Sequence, residues 1–263
     1  MILSRRSVGI YFGHRRAHAV LRGRRGALRS ASARLPEAIW QEDGTDLRST
    51  FAALARGLGA EALRADVRTA VALPDPVALE DVLSFADVPE TPRALDDLVR
   101  FRIAREHRSA PERVVCTVER LETSETGTDL LVRVLSAARV AAIQSAAREA
   151  GFRLHRLETL ARYAPAEGMV IACPDGWWSV RTHVGGAMRT FSDWGADESE
   201  AARRIGRVVR SVHLKDNTTP APITLVATAP LARSVCNTLS DLPEPEIRSP
   251  DDPNSIALSL APR

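Results

Sequence analysis

The chain has 263 residues, a net charge of +3, 44% hydrophobic residues and 26% charged residues. These fractions exclude a disordered chain, and the length is ample for one large domain or two smaller lobes with real cores. No apolar run approaches the ~18–20 residues that cross a bilayer, and no apolar leader core follows Met1–Arg6, so any membrane contact is expected to be peripheral.

Ser7–Phe12 and Ala17–Leu21 are short apolar segments expected as strands. Gly23-Arg24-Arg25-Gly26 is a turn signal, because glycine tolerates positive φ, and Ala27–Arg34 is the returning strand. Leu47, Phe51, Leu54 and Leu58 fall on one face of a helix over Asp46–Leu58, with Gly59 as its stop. Val67–Leu73 is a buried strand ending at Pro74. Thr91 and Pro92 supply an N-cap and a first-turn proline for a helix to about His107. Leu95, Leu98, Val99 and Ile103 form its apolar face, with Phe101 at the edge. Strands Val114–Leu121 and Asp129–Leu135 flank a polar turn, and a helix over Ala137–Ala150 leads to a strand at Phe152–Glu158.

The second half repeats this logic. Met169–Cys173, Trp177–Val184 and Ala187–Phe191 form a meander, with turns at Pro174-Asp175-Gly176 and Gly185-Gly186. Asp197 and Glu200 make a capping pair for a helix with Ala201, Ile205, Val208, Val209 and Val212 facing inward. Ile223–Thr228 is a strand, Pro230–Leu239 a helix, Pro243–Asn254 a loop and Ser255–Leu260 a last apolar segment. Each half thus opens with three strands, which implies a structural duplication. Cys116, Cys173 and Cys236 lie far apart with no C-x-x-C spacing, as expected of free thiols in a reducing cytoplasm.

Several segments carry a family resemblance across nearly the whole chain. Val8-Gly9-Ile10-Tyr11-Phe12-Gly13 stands where the family has glycine, hydrophobic, aspartate, hydrophobic, glycine. Ala72-Leu73-Pro74, Val82-Leu83 and Asp87-Val88-Pro89-Glu90 are similar to its lead into an inserted subdomain. Glu149-Ala150-Gly151-Phe152 resembles its helix end and following strand. Val184-Gly185-Gly186, the helix from Asp197 and the ending Ile256–Ala261 match its second lobe. The chain thereby resembles the PilM proteins of type IV pilus assembly and the cytoplasmic part of the type II secretion protein GspL, relatives of FtsA.

The resemblance implies an α/β, two-lobed actin-like fold of the duplicated, ribonuclease H-like kind. The first lobe would span residues 1–165, with an inserted subdomain at about 75–135, and the second lobe 166–263. In active members, an aspartate from each lobe serves the magnesium shell and a glycine pair approaches the adenine. Here Tyr11 holds the first position, and a neutral phenol does not replace a carboxylate as a magnesium ligand. The second turn contains Pro174, which lacks an N–H, and Asp175 is the residual candidate for nucleotide binding. Ala227-Thr228-Ala229-Pro230 replaces the glycines. The expectation is therefore no enzyme, no cofactor and no metal. His14 and His18 lack companions at metal-ligand spacing, and neither G-x-x-x-x-G-K-[ST] nor G-x-S-x-G occurs.

What remains is surface. Nine arginines and no acid lie between Met1 and Arg34. They make either a solvated hairpin or an electrostatic face toward an inner membrane or an acidic partner. The resemblance implies a non-catalytic scaffold at the inner membrane that receives a short N-terminal peptide of a bitopic membrane protein. Val77, Leu79, Phe101, Arg102 and Arg105 are the candidate contacts. A motor ATPase and a second copy are the further partners left open. The alternatives are a nucleotide-binding actin-like ATPase with diverged loops and, with less support because no recognition helix is evident, a nucleic-acid binder.

Overall fold

A computed structural model describes residues 6–41, 45–108, 110–124, 127–159, 168–173, 176–184, 187–195, 197–216, 222–250, 252, 254 and 256–257. In chain order the elements are β1 (Ser7–Phe12), β2 (Arg16–Gly23), β3 (Gly26–Arg34), α1 (Arg48–Leu58), β4 (Arg68–Leu73), β5 (Leu79–Phe85), α2 (Pro92–Glu106), β6 (Val114–Ser124), β7 (Gly127–Ser136), α3 (Ala137–Glu149) and β8 (Leu154–Thr159). Then come β9 (Gly168–Ala172), β10 (Trp177–Val184), β11 (Ala187–Trp194), α4 (Glu198–Asp216), β12 (Ile223–Val226), α5 (Ala229–Thr238) and β13 (Glu246–Arg248). They form two compact units. One comprises Met1–Val77, Ser136–Leu160 and Asp251–Arg263; the other comprises Ala78–Leu135 and Ala161–Pro250.

The first unit is built on a five-stranded sheet of order β3-β2-β1-β4-β8. β1 is antiparallel to β2 and parallel to β4. All six residues of β1 are buried, as an unbroken apolar run in a central strand requires. Phe51 of α1 packs between Phe12 (ring centroids 5.8 Å, tilted) and Phe152 (6.0 Å, edge-on), which ties the helix to the sheet. α1 stops where expected: Gly59 has φ 80°, and its N–H donates to the Ala55 carbonyl. Ile256 and Ala257 are fully buried, so the chain's final apolar segment contributes to this unit's core. The rest of that segment lies outside the described residues.

The second unit holds a five-stranded sheet of order β11-β10-β9-β12-β13 and a three-stranded sheet of order β5-β7-β6. The two five-stranded sheets share one plan: a three-strand antiparallel meander, then two parallel strands. This realises the expected duplication. Trp178 and Val180 of β10 join Ile205, Val209 and Val235 in a core beneath α4 and α5. Asp197 caps α4, its Oδ1 accepting from the Glu200 N–H at 2.7 Å. The three-stranded sheet packs one face on α2 through Leu83, Leu130, Val132, Val99 and Ile103. Thr91 caps that helix by accepting from the Ala94 N–H.

Two elements differ from expectation. β5 was not anticipated, because Glu80 and Asp81 interrupt the apolar pattern, and acidic residues are weak strand formers. The structure accounts for the strand by pairing Glu80 with arginines far away in sequence. β13 lies inside the expected loop Pro243–Asn254; Glu246-Ile247-Arg248 is recruited by parallel pairing to β12, a tertiary contact that local propensity does not reveal.

At one point α1 and β3 approach closely: a Cβ added at Gly57 would lie 2.6 Å from the Ala31 Cβ. Gly57→Leu is therefore expected to lift α1 and destabilise the protein by about 1–3 kcal/mol. Urea unfolding measures the loss, and Ala31→Gly in the same chain should restore part of it.

Candidate functional site

The expected nucleotide elements can be read one unit at a time. In the first unit, Tyr11 sits in the middle of the sheet with no exposed surface. The turn after β1 closes on itself: the Gly13 N–H donates to the Arg16 carbonyl at 2.9 Å, and Trp40 Nε1 donates to the His14 carbonyl at 2.7 Å. A carboxylate missed by sequence reasoning lies nearby along the chain. Asp75, only 2% exposed, follows β4, the strand in which Ala72 lies beside Tyr11. The residues Leu73-Pro74-Asp75 give no sequence signal of that burial.

In the second unit, Trp177 and Trp178 are both buried, so the strand following the turn packs into the interior. Asp175 and its neighbour Pro174 lie outside the described residues, as do Gly185 and Gly186. Ala227 is buried and its N–H donates to the Arg248 carbonyl at 3.1 Å; its methyl group fills the space a glycine would leave open. Burial pushes the Cys173 thiol up to about 12, which keeps it inert. Among the described residues no cluster of His, Cys, Asp and Glu could hold a metal ion.

The expected partner-binding residues fall as follows. Val77 is half-buried at the end of the first unit's opening segment. In the second unit, Phe101 is 65% exposed on α2. Arg102 and Arg105 are exposed on the same helix, with Arg102 ion-paired to Glu106. Leu79 is 40% exposed on β5, the far edge of the three-stranded sheet from β6, against which α2 packs.

The strongest electrostatic feature was not foreseen. Glu80 of β5, with a side chain 3% exposed, accepts from Arg133 of β7 at 2.9 Å and from Arg181 of β10 at 3.4 Å. The Arg181 side chain is fully buried. Arg133 also reaches Glu119 of β6 at 3.2 Å. Burial alone would raise the Glu80 pKa. The Arg181 and Arg133 charges, with the hydrogen bond from Arg133, outweigh it and hold the carboxyl below its usual 4.5. Arg181 stands in a strand buried on both faces, which alternation alone cannot distinguish from an outward arginine.

Beside this cluster a cleft of about 440 Å³ opens within the second unit. It is lined by Glu80, Asp81, Val82 and Ser84 of β5, Asp129 and Leu131 of β7, and Arg189, Thr190 and Phe191 of β11.

Paired meander-and-crossover sheets with a segment inserted after the fourth strand define an actin-like fold, and comparison with known structures agrees. The PilM-PilN type IV pilus biogenesis complex matches with a TM-score of 0.67 at 19% identity, over 95% of this chain and 89% of that one. The cytoplasmic domain of EpsL, an inner-membrane component of the Vibrio cholerae type II secretion system, matches at 0.59 and 13% identity, over 97% and 93%. A Bacteroides thetaiotaomicron protein with an actin-like ATPase fold and unknown function matches at 0.59 and 8% identity, over 97% and 96%. No family model matches the chain. No curated protein matches it either.

Removing the Glu80 charge takes away the buried anion that Arg181 and Arg133 share. Glu80→Gln is expected to cost about 3–5 kcal/mol, measured by chemical denaturation. Because the folded pKa is depressed, the Glu80 contribution is full above the unfolded value. It is lost as pH falls through the folded value. The acid limb of the stability profile should therefore flatten in Glu80→Gln.

Proposed function

We propose that the chain is a non-catalytic cytoplasmic scaffold of a type IV pilus or type II secretion platform, peripheral to the inner membrane. The observation that carries this reading is Tyr11, a buried neutral side chain at the position where the resemblance calls for a magnesium-serving aspartate. The buried Trp177 and Trp178 and the methyl group of Ala227 support it from the second unit, as does the likeness to PilM and EpsL. Among the described residues no helix is long and apolar enough to cross a membrane; a scaffold of this kind would be tethered through a partner.

In this reading Val77, Leu79, Phe101, Arg102 and Arg105 receive a short N-terminal peptide of a bitopic membrane protein. Phe101 supplies the aromatic anchor and the arginines supply orientation. A motor ATPase is the further partner of the same scaffold, and a homodimer its further assembly. The arginines of β2 and β3 suit an anionic surface, at about 1 kcal/mol for each one close to it.

A second reading, a nucleotide-binding protein with diverged loops, is favoured by the buried carboxyl of Asp75 beyond β4. Titration with a fluorescent ATP analogue and magnesium separates the two. The scaffold predicts no saturable binding; micromolar binding abolished by Asp75→Asn or Asp175→Ala would overturn it. For the partner surface, Phe101→Ala with Arg105→Glu should weaken capture of a platform N-terminal peptide by about tenfold or more, read by fluorescence anisotropy, with thermal stability unchanged.

A further inference from the structure

Three connections meet at one end of the first unit's sheet. Ser7, which opens β1, lies opposite Arg22 of β2 on one side and Arg68 of β4 on the other. Leu154, which opens β8, lies opposite Thr69. α1 runs beside β3 toward the same end. It starts near Thr50, whose hydroxyl donates to the Arg34 carbonyl at 3.0 Å, and stops at Gly59, which lies against Arg29. Arg153 Nη1 donates to the Ala65 carbonyl at 2.7 Å. The β2–β3 turn, the α1–β4 connection and the α3–β8 connection therefore lie side by side.

This end is basic. Arg24 and Arg25 at the turn, Arg56 in the last turn of α1 and Arg68 at the start of β4 are all exposed. The carboxylates nearby are already paired: Glu61 with Arg6 at 3.0 Å, Asp66 with Arg64 at 3.2 Å and Glu149 with Arg48 at 2.8 Å. Among the described residues, none of them pairs with those four arginines. At the opposite end charges of both signs meet, as in Arg34 with Glu37 at 2.7 Å.

An apolar side chain stands in the same place. Arg29 pairs with Leu21 and Ala27 with Arg22, so Leu28 between them is the extra residue of a bulge, and bulges re-aim side chains. Leu28 is 51% exposed; of the large apolar side chains exposed among the described residues, it alone belongs to the first unit. A Cβ added at Gly23 would lie 2.8 Å from Leu28 Cδ1, so the leucine rests on the residue that precedes Arg24. The exposed aromatic rings, Phe101 and Phe191, belong to the other unit. This end thus offers no stacking platform for single-stranded nucleic acid.

We infer that this end of the first unit is a contact face for an anionic lipid bilayer. Arg24, Arg25, Arg56 and Arg68 meet lipid phosphates, which a guanidinium group binds through two parallel N–H donors. Leu28 enters the boundary between headgroups and acyl chains. The arginines attract any polyanion; the leucine selects the bilayer, which has an apolar layer beneath its phosphates. The inference deepens the peripheral placement proposed above and rests on it. It adds direct lipid contact to tethering through a partner.

The test uses the full chain with vesicles of phosphatidylcholine, with or without phosphatidylglycerol, separated by flotation. The chain should float with the anionic vesicles alone, and less as salt rises. Arg24→Glu should weaken binding about fivefold or more. Arg15→Glu, the same charge change in the turn at the opposite end, should leave it unchanged. Leu28→Ser should weaken binding about threefold or more at every salt concentration. Brominated acyl chains should quench the tryptophan emission of Leu28→Trp beyond that of the unaltered protein. If Arg24→Glu loses its folded circular dichroism, Arg25→Glu and Arg56→Glu replace it. Equal weakening by Arg15→Glu, equal flotation with both vesicles or none with either, or no added quenching overturns the inference. So does tighter binding to duplex DNA than to anionic vesicles at equal phosphate. Lost flotation with intact capture of the platform peptide overturns this face alone, and lost capture with intact flotation overturns the partner surface alone.

Discussion

Glu80 sits between two arginines in the interior of the second unit, and the arrangement of both its sheets follows from that placement. An arginine side chain with no exposed surface, as at Arg181, has given up its hydration and must face an anion. Glu80 is that anion, and Arg133 holds it from the neighbouring strand. A buried ion pair is a poor source of net stability compared with well-packed apolar side chains, yet breaking one is severe. Its value here is positional. The three-stranded sheet uses its apolar face on α2, so what fixes its other face relative to β10 and β11 is polar and directional. A polar junction does not close up as an apolar one would, and the cleft lined by Val82, Leu131 and Phe191 persists beside it.

The duplication was legible in the sequence because it rests on local signals. Gly-flanked turns, apolar runs of strand length and capped helices recur in the same order, and the two five-stranded sheets have one plan. Tyr11 was legible as a residue of a buried strand because the run Ser7–Phe12 locates it. The Glu80 cluster was not, since its members are 53 and 101 residues apart in sequence. An acid in an amphipathic segment and an arginine in a strand each look solvent-facing until the fold juxtaposes them. β13 was hidden for the same reason, and Asp75 gives no pattern at all. Local chemistry reveals elements, whereas polar contacts of long range are set by topology.

The basic hairpin illustrates a different limit. Arginine density alone suggested a surface for anions, and the structure shows some of those charges spent at home: Arg29 donates to the Leu58 carbonyl, Arg16 to the Ser32 hydroxyl, and Arg34 pairs with Glu37. Exposed pairs of this kind add little stability, but they do direct the side chains. Arg24 and Arg25 at the turn are exposed. The count of charges therefore overstates what the hairpin can offer an anionic surface.

A duplicated fold provides its own control, because equivalent positions in the two halves can be compared without any outside reference. β3 and β11 occupy the same place in the shared plan, each the third strand of its meander and the outer edge of its sheet. A chain selected only to stay soluble would blunt both, since a long regular edge invites unwanted pairing. β3 is bulged and capped near its end, while β11 runs regular beside a cleft. The second edge is defended differently: β5 of the three-stranded sheet lies against β11, and a covered edge needs neither a bulge nor a proline.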